Sequence, residues 1–401
     1  MTRILRNISG DRTIWAIIAV LAIFSFLPVY SASTNLVGVV GKGTTLGYLL
    51  KHAMLLTLGF VIIYATAKIP YRYFSGLSVL LIPVVLVLLA YTLFQGKTIS
   101  GVNASRWISI PFVGIGFQTS TLASVVVMMY VARYLARNKK KKIFFKESIV
   151  QLWIPVGVVL ALILPANFST TAIIFSMVLL IAFLGGYPLK YIGAIIGIGV
   201  LIFALFILTA KAFPDTFKNS RINTWVSRIE NFSSANEEEN YQAEKAKLAI
   251  ASGEIRGKGP GKSVQKNFLP QSSSDFIYAI IVEEFGLVGA LVLILLYLGL
   301  LFRIVIVASK TETIFGTLLV LGVGIPIIFQ ALINMAVAVG LFPVTGQPLP
   351  LISTGGTSIW MTCFAIGIIL SVSAKREAEL AADKKKRKDE NPLEILHEAI
   401  G

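Results

Sequence analysis

The sequence predicts an all-α polytopic membrane protein with about ten transmembrane helices and one long extracytoplasmic loop, on three observations. Of its 401 residues 56% are hydrophobic and only 14% charged, the composition of a membrane bundle and not of a soluble domain. Apolar runs of roughly the 20 residues needed to cross hydrocarbon recur along the chain. Lys and Arg gather in alternate connections between them, as the positive-inside rule requires.

The apolar runs lie near 13–31, 47–67, 75–94, 116–136, 189–211, 276–302, 313–340 and 356–374. The stretch 148–184 is too long for one crossing, and Pro165-Ala-Asn-Phe-Ser-Thr-Thr171 interrupts it, so it divides into two short spans at a tight turn. The count becomes ten, with both termini on one side. The first run, Ile14 to Tyr30, follows a basic start but has no clean small-residue cleavage pattern, and is read as a retained span.

Charge orients the bundle with both termini cytoplasmic. Inner segments then hold Arg3, Arg6 and Arg12; Lys68 and Arg72; Arg133, Arg137, Lys139 to Lys142 and Lys146; Lys190; Arg303 and Lys310; and the tail from Lys375 to Lys388. The short outer segments hold only Lys42, Lys51, Lys97 and Arg106. Residues 1–375 form the transmembrane domain, with the long outer loop 212–274 between the seventh and eighth helices, and 376–401 a basic cytoplasmic tail. The net charge of +16 and the basic runs Lys139 to Lys142 and Lys384 to Lys388 read as topology anchors that attract anionic membrane lipids, not as a nucleic-acid surface. The one cysteine, Cys363, excludes an internal disulfide framework and reads as a small core hydrophobe.

In this pattern only three of the 20 acidic residues lie in or at the lip of a span: Asp275, Glu283 and Glu284. An ionisable group at that depth is costly and points to function. A structural alternative exists, since Ser272-Ser-Ser-Asp275 ahead of an apolar run fits a helix cap. On a straight helix Glu283 lies about 80° from Asp275 and Glu284 about 180°, so Glu283 is placed to share a cavity with Asp275 and Glu284 to bond another helix.

Two polar outer segments accompany them. The long loop carries an interfacial helix near Tyr241 to Ser252 and then the run Arg256-Gly-Lys-Gly-Pro-Gly-Lys-Ser-Val-Gln-Lys266, where glycine amides and cations suit either a phosphate nest or a solvated turn. It lacks the phosphate-loop signature of nucleotide hydrolases. The loop before the last helix, Leu341 to Ser358, has three prolines, several glycines and no charge, describing a rigid folded-back segment packed in protein. Gly355, Gly356, Thr357 and Ser358 would open the last helix, where free amides favour an anion or merely cap and pack. Ser353 as a nucleophile lacks a base, because the only histidines are His52, in another span, and His397 in the tail.

Taken together, the run Arg256 to Lys266, Phe268-Leu-Pro, Asp275-Phe-Ile-Tyr-Ala, Glu283-Glu284-Phe-Gly286, Gln330-Ala-Leu-Ile-Asn334, Gly340-Leu-Phe-Pro343-Val-Thr-Gly346 and Leu349-Pro-Leu-Ile-Ser353-Thr-Gly355-Gly356-Thr-Ser358 resemble the SEDS family, RodA and FtsW. Ala104-Ser-Arg106-Trp107-Ile fits as well, and the Phe268 to Asp275 run is closer to the division-specific FtsW branch. The resemblance implies a peptidoglycan glycosyltransferase that polymerises lipid II at the outer face of the bacterial cytoplasmic membrane, at the division septum. It makes Asp275 the general base on the acceptor 4-hydroxyl and undecaprenyl diphosphate the leaving group. Arg106, Lys258, Lys262, Gln265, Glu283, Ser353, Gly355, Gly356 and Ser358 are then the substrate-binding candidates. It implies a class B penicillin-binding transpeptidase and other division proteins as partners. It fixes no cofactor and no protein metal site, leaving open a divalent cation such as Mg2+ at the pyrophosphate. The chain departs from the family at Gln118-Thr-Ser-Thr121-Leu-Ala-Ser124, where an acid and a base are both replaced, and at Leu164-Pro165-Ala-Asn167; Thr121, Ser124 and Asn167 receive no site role. A lipid II flippase and a non-catalytic division scaffold are the alternatives; no internal repeat supports the first.

Overall fold

The computed structural model describes residues 9–40, 44–94, 98–99, 102–103, 107–109, 116–141, 143–212, 237–269 and 272–390, excepting the side chains of 35–40, 98–103, 109, 206–207, 210–212, 237–240 and 375–390. Among the described residues ten apolar helices stand where the hydropathy places them. They are α1 (Arg12–Val40), α2 (Thr45–Ala67), α3 (Arg72–Phe94), α4 (Thr119–Asn138), α5 (Phe145–Ile163), α6 (Phe168–Leu184), α7 (Leu189–Ala212), then α9 (Ile277–Ser309), α10 (Ile314–Ala338) and α11 (Thr357–Glu390). Eight carry stretches long and apolar enough to cross a membrane; α6 and the apolar part of α7 are shorter. The protein is an all-α polytopic membrane protein. Between α7 and α9 the loop holds α8 (Glu237–Gly253), longer than the interfacial helix expected and docked on the bundle with Ala246 and Ala249 fully buried.

Two small hairpins are an addition to the all-helical expectation: β1 (Thr98–Ile99) with β2 (Val102–Asn103), and β3 (Trp107–Ser109) with β4 (Gly116–Gln118). They occupy the connection from α3 to α4. The α5–α6 turn forms at Pro165 as expected, and Asn167 explains it: its side chain accepts from the Thr170 amide and caps α6. The last helix does not stop where the sequence turns charged near 375. Ala, Glu, Lys and Arg are strong helix formers, so α11 runs on to Glu390 and the tail expected from 376 begins as helix.

A close crossing joins α2 to α11. Trp360 Nε1 donates to the Leu55 carbonyl at 3.2 Å, a Cβ on Gly59 would stand 2.7 Å from Cys363 Sγ, a Cβ on Gly367 would stand 2.6 Å from Thr66, and Ser371 donates to the Ile69 carbonyl. The partners advance together along both chains, so the two helices run parallel. Small residues let their backbones approach, the usual device of membrane helix pairs. Both helices begin at the end of the bundle that carries the long loop, termed here the loop end. The opposite, basic end holds Arg133, Arg137 and Arg303.

A fourth acid belongs with the three picked from the hydropathy. Asp11 is only 7% exposed; it caps α1 through the Thr13 and Ile14 amides and pairs with Arg303 of α9. It was hidden by its place just ahead of the first apolar run, where a capping acid looks solvated.

Candidate active site

The loop end is organised by a break in α9. Gly286 takes φ +65°, ψ −165° inside the helix, a conformation open to glycine and strained for other residues. The break strips α9 of its own hydrogen bonds at membrane depth, where an unsatisfied backbone group costs several kcal/mol. Residues 254–259 of the long loop replace them. The Lys258 and Gly259 amides donate to the Glu283 and Glu284 carbonyls (3.0 and 2.9 Å), while the Leu287 and Val288 amides donate to the Glu254 and Ile255 carbonyls (2.9 and 3.3 Å). Gly257, at φ +78°, permits the approach: a Cβ there would fall 2.2 Å from the Glu284 carbonyl oxygen.

This stitching corrects two expectations. In the glycine-rich run the Lys258 and Gly259 amides are spent on α9 carbonyls, and the anions that the Ser263, Val264 and Gln265 amides meet are the chain's own Glu284 and Glu283 carboxylates. Glu283, expected to share a cavity with Asp275, is engaged by the loop instead. It is fully buried, pairs with Lys258 at 2.6 Å, and accepts from the Ser263 hydroxyl and from the Val264 and Gln265 amides. The α9 break and the loop's fold turn it toward the loop, so Glu283, Lys258 and the Gln265 backbone hold the scaffold together. Glu284 does bond another helix, as expected, through Ser31 of α1, and also accepts from the Ser263 amide. Lys262 remains on the exposed surface of the loop.

Asp275 precedes the N-cap of α9, Phe276, which makes no side-chain cap bond. The capping-box geometry read from Ser272-Ser-Ser-Asp275 is therefore not the one formed. Asp275 is half-buried, and its backbone carbonyl accepts from Asn334 Nδ2 at 2.8 Å. The same Asn334 amide group donates to the Gln347 carbonyl at 2.8 Å, and Gln330, one turn earlier on α10, donates to the Pro348 carbonyl at 2.8 Å. The proline-rich loop is thus folded back into protein, as its composition predicted; Tyr297 of α9 reaches the Pro350 carbonyl, and Leu351 is held at φ +65°. Ser353 is a brace. Its hydroxyl donates to the Ser274 carbonyl at 2.6 Å and accepts from the Leu349 amide at 2.7 Å, while Thr354 bonds the Ser273 carbonyl through both amide and hydroxyl. Ser358, buried in the first turn of α11, donates its amide to the Gly355 carbonyl.

A cavity of about 260 Å³ opens beside this brace. Gly355, Gly356 and Thr354 line it at the start of α11, Ser273 from the segment before Asp275, Tyr48, Lys51 and His52 from α2, and Trp107 from β3. Asp275 follows Ser273 by two residues and is not among the described lining residues. Lys51 is exposed; His52 is bonded to Ser25 of α1 at 2.8 Å. The register of the α2–α11 pair explains the meeting: one turn before Leu55 and Trp360, the chains arrive at Lys51 and Gly356. The positive dipole end of α11 thus lies beside the ammonium group of Lys51, in the second turn of α2. Sequence reasoning missed Lys51, although a lone cation in the first turns of an apolar span is itself a signal. Arg106 lies outside the described residues. Among the described residues no three His, Cys, Asp or Glu side chains converge to hold a metal ion.

The profile of the cell cycle protein family FtsW/RodA/SpoVE matches residues 11–378. The chain belongs to this family. It is 32% identical over 373 residues, 91% of this chain and 92% of the relative, to a protein of Hydrogenovibrio crunogenus named "Probable peptidoglycan glycosyltransferase FtsW". A Coxiella burnetii protein of the same name is 29% identical over 386 residues, covering 92% of this chain and 98% of the relative. Among solved structures, a chain of a peptidoglycan synthase complex that coordinates polymerization and crosslinking superposes with a TM-score of 0.70 at 23% identity, covering 92% of this chain and 98% of that one. The rod shape determining protein RodA of Thermus thermophilus does so with a TM-score of 0.64 at 23% identity, over 92% and 97%. The fold is that of the FtsW/RodA/SpoVE family, and the enzyme class expected from the motifs is the one its curated relatives carry.

Proposed function

We propose that this chain is a peptidoglycan glycosyltransferase of the FtsW type, polymerising lipid II at the outer face of the bacterial cytoplasmic membrane during division. Its loop end faces outward and both termini lie inside. The single observation that carries the reading is the cavity between the second turn of α2 and the start of α11, with Lys51 and the Gly355-Gly356 turn on one wall and Ser273, two residues before Asp275, on another. Asp275 takes the proton from the acceptor 4-hydroxyl; the oxygen attacks the donor's anomeric carbon with inversion, and the bond from that carbon to the diphosphate breaks. General-base assistance of this kind contributes about 10²- to 10⁴-fold. Lys51, Lys262, Arg106 and the Gly356 and Thr357 amides opening α11 meet the developing negative charge on undecaprenyl diphosphate. Lys258, Glu283 and Gln265 hold the loop that carries Lys262, and Ser353 and Ser358 hold the turn that presents the amides. A divalent cation would be carried by the substrate's own phosphate oxygens, and no step above is routed through it. A class B penicillin-binding transpeptidase is the partner that crosslinks the product.

The test is polymerisation of lipid II in detergent by wild type and Asp275→Asn, each with the transpeptidase, read as glycan strands on a gel. Wild type yields polymer and the variant loses at least about 100-fold. Detergent removes sidedness, so a flippase or a scaffold yields no polymer from either protein, and normal polymerisation by the variant ends the assignment of the base.

A further inference from the structure

At the basic end of the bundle, far from Asp275 along the span, a second cavity of about 480 Å³ opens between α3, α4 and α5. One wall is a stripe of α4: Tyr130, Arg133, Tyr134 and Arg137 recur at spacings of three and four, which puts them on one helical face, and Lys141 continues the stripe past the helix end. Gln151 of α5 stands opposite. It lies in a single π-helical turn, Ile149–Trp153, a departure from regular helix that recurs at functional sites. The Tyr130 hydroxyl donates to the Gln151 carbonyl, and Arg133 donates to the Ser75 carbonyl near the start of α3. Those two bonds fix where the stripe sits against its neighbours.

Three cations line this cavity, and no carboxylate is among its described lining residues. An arrangement that only marks topology needs positive charge near the membrane surface and no enclosed volume. Beside the cavity the helices show apolar side chains outward: Val79 and Leu80 of α3, 43% and 68% exposed, and Val150 and Ile154 of α5, 60% and 50% exposed. A ligand that is anionic at one end and apolar at the other matches both features.

We propose that this cavity binds the phosphate headgroup of an anionic phospholipid, with its acyl chains lying along the exposed faces of α3 and α5. On the orientation proposed above, the lipid belongs to the cytoplasmic leaflet. Arg133, Arg137 and Lys141 meet the phosphate, where guanidinium groups offer paired donors, and the two tyrosine hydroxyls face the glycerol region. The bound lipid ties α3, α4 and α5 together at their cytoplasmic ends.

The full chain, purified in detergent, is titrated with phosphatidylglycerol or phosphatidylcholine and followed by native mass spectrometry and by Tm. The wild type retains one phosphatidylglycerol and gains Tm from it, and does neither with phosphatidylcholine. Arg137→Gln with Lys141→Gln weakens retention roughly 25-fold, each cation near a membrane surface being worth about fivefold. Lys140→Gln with Lys146→Gln removes the same charge outside the cavity and leaves retention unchanged. Arg137→Lys with Lys141→Arg keeps it, which separates lost charge from lost folding. Equal weakening by both neutralising pairs, or equal retention of the two lipids, overturns the proposal in favour of diffuse surface charge. Displacement by millimolar inorganic phosphate overturns the lipid as the source and leaves a soluble anion.

Discussion

Asp275 and Glu283 lie about two helical turns apart in one segment, at a depth where neither carboxylate is cheap, yet their surroundings differ. Glu283 is enclosed, with Lys258, Ser263 and two backbone amides on its oxygens. Asp275 is half-buried at the start of α9, beside a segment that lines a cavity with Lys51 and the opening of α11. Sequence position alone makes both acids functional candidates. The surroundings divide them: the loop engages the Glu283 carboxylate and makes it part of the scaffold, and on the function proposed above the chemistry falls to Asp275.

Exchanging the two roles by mutation gives the largest effects. Asp275→Asn lowers polymerisation by about 10²- to 10⁴-fold and lowers the Tm in detergent by less than Glu283→Ala does. Glu283→Ala does the reverse in kind: it strips the buried Ser263 hydroxyl of its acceptor, a loss of about 1–3 kcal/mol, and breaks the pair with Lys258, whose side chain is 32% exposed. It is read as a lower Tm and faster proteolysis within 254–269, with activity lost in proportion to the folded fraction. A Glu283→Ala protein of unchanged Tm would break the distinction.

A smaller effect sharpens the cavity side of the comparison. Lys51→Met removes the ammonium group at the mouth but no buried bond, so glycan synthesis falls about 10- to 100-fold at constant Tm, below the loss expected for a fully enclosed oxyanion donor. Smaller again is Gly59→Ala. The added methyl meets Cys363 Sγ at 2.7 Å, costs about 1–3 kcal/mol as overpacking, and moves α2 from α11. Tm and polymerisation then fall together, and Cys363→Ala restores part of both.

The spans were legible because a membrane helix must be apolar over its whole length, and Pro165 and Asn167 mark the one division that length alone leaves open. The folded-back loop was legible from its prolines, glycines and lack of charge. The break at Gly286 was not. A glycine in an apolar helix usually means close packing, and its left-handed backbone is decided by amides and carbonyls of residues 254–259, remote in sequence. The same remoteness hid the meeting of Lys51 with Gly356, which depends on the parallel register of α2 and α11. Asp11 looked like a solvated cap because its partner, Arg303 of α9, is remote in sequence.

The stitches across Gly286 carry a consequence for assembly. A regular α9 and a docked loop lay claim to the same amides and carbonyls, so the two arrangements exclude one another. An α9 without residues 254–259 against it would close its own bonds across Gly286 and stay whole. A chain cut within that short stretch is therefore expected to regain an unbroken rod and forfeit its workshop.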